Sequence, residues 1–121
     1  MKTFVTKQFR FESAHSLPHH DGKCKNLHGH SYLLEVTVSG DIQTSGPKAG
    51  MVIDFSDLSK VVEEHIISKW DHQYLNDIVS FVTTAENLAG ETFRILTAAG
   101  LAVEKVRLWE TARAYVEVVR E

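Results

Sequence analysis

His28-Gly29-His30-Ser31-Tyr32-Leu33-Leu34-Glu35-Val36-Thr37-Val38-Ser39 alternates along its whole length, with His28, His30, Tyr32, Leu34, Val36 and Val38 at the even positions. Gly29, Ser31, Leu33, Glu35, Thr37 and Ser39 take the odd ones. A period of two is the signature of a half-buried strand, and here two imidazoles extend the apolar face at one end. Polar groups on a core-facing side need partners, and a metal ion would be one.

Upstream, Val5, Phe9 and Phe11 share odd parity between Thr3 and Ser13, against Thr6, Gln8, Arg10 and Glu12. That predicts a first strand whose parity, continued, carries His15 onto the same apolar side. His15, His28 and His30 would then meet the need of a catalytic zinc site, which takes three protein ligands and leaves a fourth position for water or substrate; the plain alternative for His28 and His30 is a strand surface. Zn2+ suits the set better than Fe(II), whose usual triad includes a carboxylate. Leu17 to Gly22 reads as a loop, and His19 and His20 within it as solvated. Cys24, the only cysteine, lies between Lys23 and Lys25. Such positive surroundings favour a thiolate that could act as general base or nucleophile, while the plain alternative is an inert thiol.

Downstream, Gly40 to Gly50 reads as a hairpin loop leading into a short extended Met51-Val52-Ile53. Asp54 can cap a helix over Phe55 to Ser68 whose stripe is Phe55, Leu58, Val61, Val62, His65 and Ile66, with His65 a satisfied core histidine. Trp70 to Asp77 has no clear period and is expected to be a connection. Within it, Asp71-His72 is an acid/base candidate, a carboxylate able to orient an imidazole. Thr84 caps a second helix over Ala85 to Ala98, stopped by Gly100. Val103 to Glu110 and Ala112 to Val119 alternate as two strands joined by a tight turn. Glu110 falls in line with Val106 and Leu108. It is either a carboxylate on the apolar face, able to accept paired hydrogen bonds from an amino-pyrimidinone edge, or a strand-end group in water.

The order β-β-α-α-β-β, with helices segregated to one face, is an α+β sandwich. At 121 residues the chain is expected to be a single domain, 1–121. A net charge of −3 without a basic cluster argues against nucleic acid as partner. The absence of a long apolar run argues against a membrane, and a start without a signal-peptide core, together with a lone cysteine, points to the cytoplasm.

Taken together, Phe11-Glu12-Ser13-Ala14-His15-Ser16-Leu17-Pro18, Cys24-Lys25-Asn26-Leu27-His28-Gly29-His30-Ser31-Tyr32, Ile53-Asp54-Phe55, Trp70-Asp71-His72-Gln73-Tyr74-Leu75-Asn76-Asp77, Thr84-Ala85-Glu86-Asn87-Leu88 and Leu108-Trp109-Glu110-Thr111 run in the order of a known family. The chain resembles the 6-pyruvoyl-tetrahydropterin synthase superfamily, and within it the bacterial 6-carboxytetrahydropterin synthases of queuosine biosynthesis. The resemblance implies the tunnelling fold: a four-stranded antiparallel sheet with two helices on one face, assembling into an oligomeric barrel, as a homohexamer built from a dimer of trimers. It implies zinc on His15, His28 and His30, catalysis by Cys24 with Asp71 and His72, and pterin anchored by Glu110 with Thr84 nearby. The implied reaction converts 7,8-dihydroneopterin triphosphate to 6-carboxy-5,6,7,8-tetrahydropterin, releasing acetaldehyde and triphosphate. Lys23, Lys25, Arg107 and Arg113 are the positive candidates for the triphosphate. The interval of three residues between Cys24 and His28 resembles the carboxy-forming group. Thr83 departs from the proline that bacterial relatives often carry, which is expected to affect the helix entry more than the chemistry. Alternatives are a pyruvoyl-forming synthase, a lyase acting on sepiapterin-like side chains, or a non-catalytic pterin- or metal-binding module.

Overall fold

The computed structural model describes residues 1–121. Strands β1 (Thr3–His15) and β2 (His28–Gly40) pair antiparallel over their full length, from Thr3 opposite Gly40 to His15 opposite His28. Facing residues share a side of the sheet, so Phe11 with Tyr32, Ser13 with His30 and His15 with His28 form successive rungs on one face. A single 3-10 turn, Lys23–Lys25, interrupts the connection between them.

After β2, Gln43 is tied to Gly50 and Met51 by backbone hydrogen bonds of 2.7 and 3.0 Å, which closes the expected hairpin loop. Met51 to Ile53 is bent, not extended as the sequence suggests. Asp54 caps α1 (Phe55–Val62), accepting from the Ser56 N–H at 2.7 Å. The helix runs on through a π-helical turn, Glu63–Ile67, into the short α2 (Ser68–Trp70). The wider π turn delays the drift of the apolar stripe, so Leu58, Val62, Ile66, Ile67 and Trp70 all reach the core. Two expectations are corrected here: Phe55 is 56% exposed, and Trp70 belongs to a buried helix end.

The expected connection after Trp70 contains a further strand, β3 (Gln73–Tyr74), followed by α3 (Leu75–Ile78). β3 pairs parallel with Ser13 and Ala14 of β1. α4 (Ala85–Ala98) starts at the predicted Thr84 cap, and Gly100, at φ 101°, turns the chain out of it. β4 (Val103–Thr111) and β5 (Ala114–Val119) complete the order β3-β1-β2-β4-β5. The sheet is therefore five-stranded and mixed, which corrects the four-stranded antiparallel expectation. Its apolar face, carried by Phe9, Phe11, Tyr32, Leu34, Val36, Val106 and Leu108, packs on the residues of α1, α2 and α4 in one core.

β4 carries two bulges. Lys105 faces Thr37 and Val103 faces Val38, so Glu104 is an extra residue that resets the parity and buries both Val103 and Val106. On the β5 side, Trp109 faces Tyr115 and Thr111 faces Ala114, leaving Glu110 unpaired between them.

Candidate metal and catalytic site

The rungs at the open end of the β1–β2 pair bring three imidazoles together. One ligand atom from each of His15, His28 and His30 lies within 4.8 Å of the others. The ring of His15 stands 4.5 Å from that of His28 and 5.1 Å from that of His30. His15 is only 1% exposed. Its Nδ1–H donates to the Thr83 carbonyl at 2.8 Å, and the His28 Nδ1–H donates to the Asn26 carbonyl at the same distance. Because a carbonyl only accepts, each bond fixes the tautomer that leaves Nε2 as a lone pair. Nε2 of His15 and of His30 are buried without a partner. A buried, unpaired polar atom costs about 1–3 kcal/mol, and two in one cluster of neutral nitrogen donors fit a bound cation. Burial is also the main reason both rings sit below their ordinary pKa of 6.5, in the deprotonated form a metal requires.

The support for His15 comes from far along the chain. Asn76 Oδ1 accepts the Ser16 N–H at 3.0 Å, its Nδ2 donates to the Ser16 carbonyl at 2.8 Å, and the buried Thr83 hydroxyl lies 3.3 Å from Asn76 Oδ1 and from His15 Nδ1. Thr83 is thus part of the cradle of His15, a closer tie to the site than its place before the helix suggests. Asn76→Ala is expected to weaken metal binding by about 10–100-fold, the usual effect of losing such support, as measured by chelator competition.

Glu110 reaches the same cluster from β4. Its two carboxylate oxygens stand 3.9 Å from His15 Nε2 and 3.7 Å from His30 Nε2. The bulge at Glu110 turns the strand end so that the carboxylate emerges on the histidine side while remaining 31% exposed. The two readings open at the sequence level are both partly met: the group faces the apolar side and opens onto a recess. That recess, of about 300 Å³, is lined by Glu110, Thr84, Leu17, Ala85 and Tyr115 among others.

Asp71 and His72 sit at the β3 edge of β1. Neighbouring side chains usually diverge, but His72 adopts a left-handed backbone, φ 59°, and its Nδ1 lies 2.9 Å from Asp71 Oδ2. Such a conformation costs about 1–3 kcal/mol and is held here by both residues bonding Glu12: the His72 N–H donates to its carbonyl at 2.6 Å and Asp71 Oδ1 accepts its N–H at 2.8 Å. The Glu12 N–H first, and His72 second, hold the Asp71 carboxyl below its ordinary 3.8. A carboxylate with a depressed pKa stabilises the fold above its unfolded value and loses that contribution as pH falls through the folded one. Below about pH 3.8 the melting temperature of metal-free protein is therefore expected to fall more steeply than that of Asp71→Asn, followed by circular dichroism. His72 is 77% exposed and shares a cleft of about 470 Å³ with Glu12, Ser13, Gly29, His30 and Ser31.

Cys24 lies half-buried in the 3-10 turn, whose carbonyl at Cys24 accepts the Leu17 N–H at 2.8 Å. It is not among the converging ligand groups. His19 and His20 are exposed as expected, whereas His65 is half-buried beside the π turn. Arg107 is engaged by Glu117 at 2.7 Å and by the Tyr115 ring, on which its guanidinium lies 4.3 Å from the centroid. Lys23, Lys25 and Arg113 are exposed. The bonds of Asn76 to Ser16 and of Thr83 to His15 had no periodic signature in the sequence because their partners lie 60 and 68 positions away.

Comparison with known proteins follows the same outline. The chain is 40% identical to the 6-carboxy-5,6,7,8-tetrahydropterin synthase of Haemophilus influenzae, over 93% of this chain and 96% of that one. It is 42% identical to the Synechocystis protein of the same name, over 88% and 85%. The fold is similar to the structure of Caenorhabditis elegans 6-pyruvoyl tetrahydropterin synthase, with a TM-score of 0.85, 26% identity and coverage of 100% and 97%. A sequence model for 6-pyruvoyl tetrahydropterin synthase matches residues 4–121, and the chain belongs to that family.

Proposed function

We propose that the protein is a zinc-dependent 6-carboxy-5,6,7,8-tetrahydropterin synthase, one domain over residues 1–121, converting 7,8-dihydroneopterin triphosphate and water to 6-carboxytetrahydropterin with release of acetaldehyde and triphosphate. The observation that carries this reading is the convergence of His15, His28 and His30 with the Glu110 carboxylate beside them and a recess at its side. The carboxy-forming choice is supported by the names of the relatives at 40% and 42% identity and by the short interval from Cys24 to His28. The step belongs to the route to queuosine, in the cytoplasm.

His15, His28 and His30 would hold Zn2+, which would supply Lewis-acid polarisation of the substrate's side-chain oxygens. Glu110 accepts two hydrogen bonds from the amino-pyrimidinone edge of the pterin, and Thr84 borders the ring. Asp71 accepts from His72 Nδ1–H, so that Nε2 is free to take and return a proton. Cys24 is the second proton carrier between side chain and ring, and C–C cleavage, with water supplying the second carboxylate oxygen, releases the aldehyde. Assembly into a homohexamer, a dimer of trimers with sites between subunits, is supported by the unpaired outer edge of β5, where Tyr115 and Val119 are exposed.

The test is incubation of zinc-loaded protein with dihydroneopterin triphosphate, with metal content and light scattering on the same sample. Carboxypterin and acetaldehyde are expected, with turnover reduced about 10²–10⁴-fold in Cys24→Ala, the range for loss of one acid–base group. A pyruvoyl product, or no turnover, overturns the assignment, and an active monomer overturns the assembly.

A further inference from the structure

Tyr32 lies one rung inward from His30 on the same face of β2, fully buried at 0% exposure. Its ring stacks on that of Phe11, centroids 4.8 Å apart and planes inclined by 10°, so the side chain is firmly packed. Its hydroxyl nevertheless has no hydrogen-bond partner. Only two other buried side-chain atoms share that condition, Nε2 of His15 and Nε2 of His30. Those two rings stand 6.3 and 5.5 Å from the Tyr32 ring. The unsatisfied atoms of the chain therefore collect at one place, the inner end of the histidine cluster.

The three atoms differ in what they need. The imidazole nitrogens are lone pairs and call for a cation, whereas a phenol O–H is foremost a donor and calls for an acceptor. No protein group accepts from it; the Glu110 carboxylate acts on the phenol through its charge and not through a hydrogen bond. An acceptor brought in by a ligand meets the requirement. We propose that Tyr32 is an oxygen-binding residue of the site, its O–H donating to a ligand oxygen that enters beside the His15 and His30 rings. The identity of that oxygen, a side-chain oxygen of the dihydropterin, rests on the function proposed above; the presence of a donor there does not.

Tyr32→Phe removes the hydroxyl and keeps the shape. Its melting temperature without metal, its zinc affinity by chelator competition, and the calorimetric affinities of the zinc-loaded protein for acetohydroxamate and 7,8-dihydroneopterin are compared with the parent. The metal-free variant is expected to melt no lower than the parent, since an unpaired buried group has been deleted. Zinc affinity is expected to stay within about threefold, and both ligands to bind about tenfold more weakly, the effect of one hydrogen bond. Acetohydroxamate is an oxygen ligand that owes nothing to the pterin assignment. If neither protein binds dihydroneopterin while acetohydroxamate still separates them, the functional reading fails and the role of Tyr32 stands. Equal acetohydroxamate affinities overturn the proposal. So does a lower melting temperature of the metal-free variant, or a zinc affinity reduced more than about tenfold, because each assigns the hydroxyl to holding the protein itself.

Discussion

His15→Ala is expected to leave a protein that retains no metal, turns over at less than about a thousandth of the parent rate, and has lost about 2–4 kcal/mol of stability. The stability loss follows from position. The ring is 1% exposed, so truncation opens a cavity, and the Thr83 carbonyl loses the Nδ1–H that satisfies it. His28→Ala separates the two effects. That ring is half-buried at the strand start, and its truncation is expected to remove metal and turnover with little loss of folding. Metal content by emission spectroscopy and urea melts of both variants decide the matter. Full retention of metal by either variant would remove the three-histidine centre from the mechanism.

That His15, His28 and His30 converge was legible because strand parity is a local signal. Period-two alternation from Thr3 to His15 and from His28 to Ser39 assigns each histidine to the core side, and two such strands paired as a hairpin bring the open ends together. The bounds of α4 were legible for the same reason, with the Thr84 cap and Gly100 acting within one turn of the ends they define. What escaped depends on contacts across the fold. β3 is two residues long and owes its existence to β1, so no period could announce it. The bulges in β4 are deviations from alternation, visible only once the partner strands are in place. The meeting of Asp71 with His72 needed a left-handed backbone that Glu12 stabilises from another strand. In the alternation Tyr32 is one more apolar position, since a pattern records the ring and not whether its hydroxyl has a partner.

Glu110→Gln is expected to lower kcat/KM by about 10³-fold, because two hydrogen bonds to a charged acceptor, at about 1.5–3 kcal/mol each, are weakened or reversed when an amide replaces the carboxylate. The substitution is nearly isosteric, so the bulge and the recess should persist. It also separates two roles that the geometry leaves close together. The carboxylate stands 3.7 and 3.9 Å from histidine nitrogens, near enough to act on a metal held there as well as on a pterin in the proposed role. As a pterin anchor, Glu110 contributes to metal affinity only through its charge. Zinc binding should then weaken by at most about tenfold, while the affinity for dihydroneopterin falls by about 10²-fold or more. As a fourth metal ligand it would show the reverse, with metal lost and the pterin affinity of any remaining loaded protein unchanged. Chelator competition and pterin titration on one preparation distinguish the two. The anchor is favoured by the side on which the carboxylate is open: its 31% exposure opens onto the recess shared with Thr84, where a flat heterocycle could present paired donors.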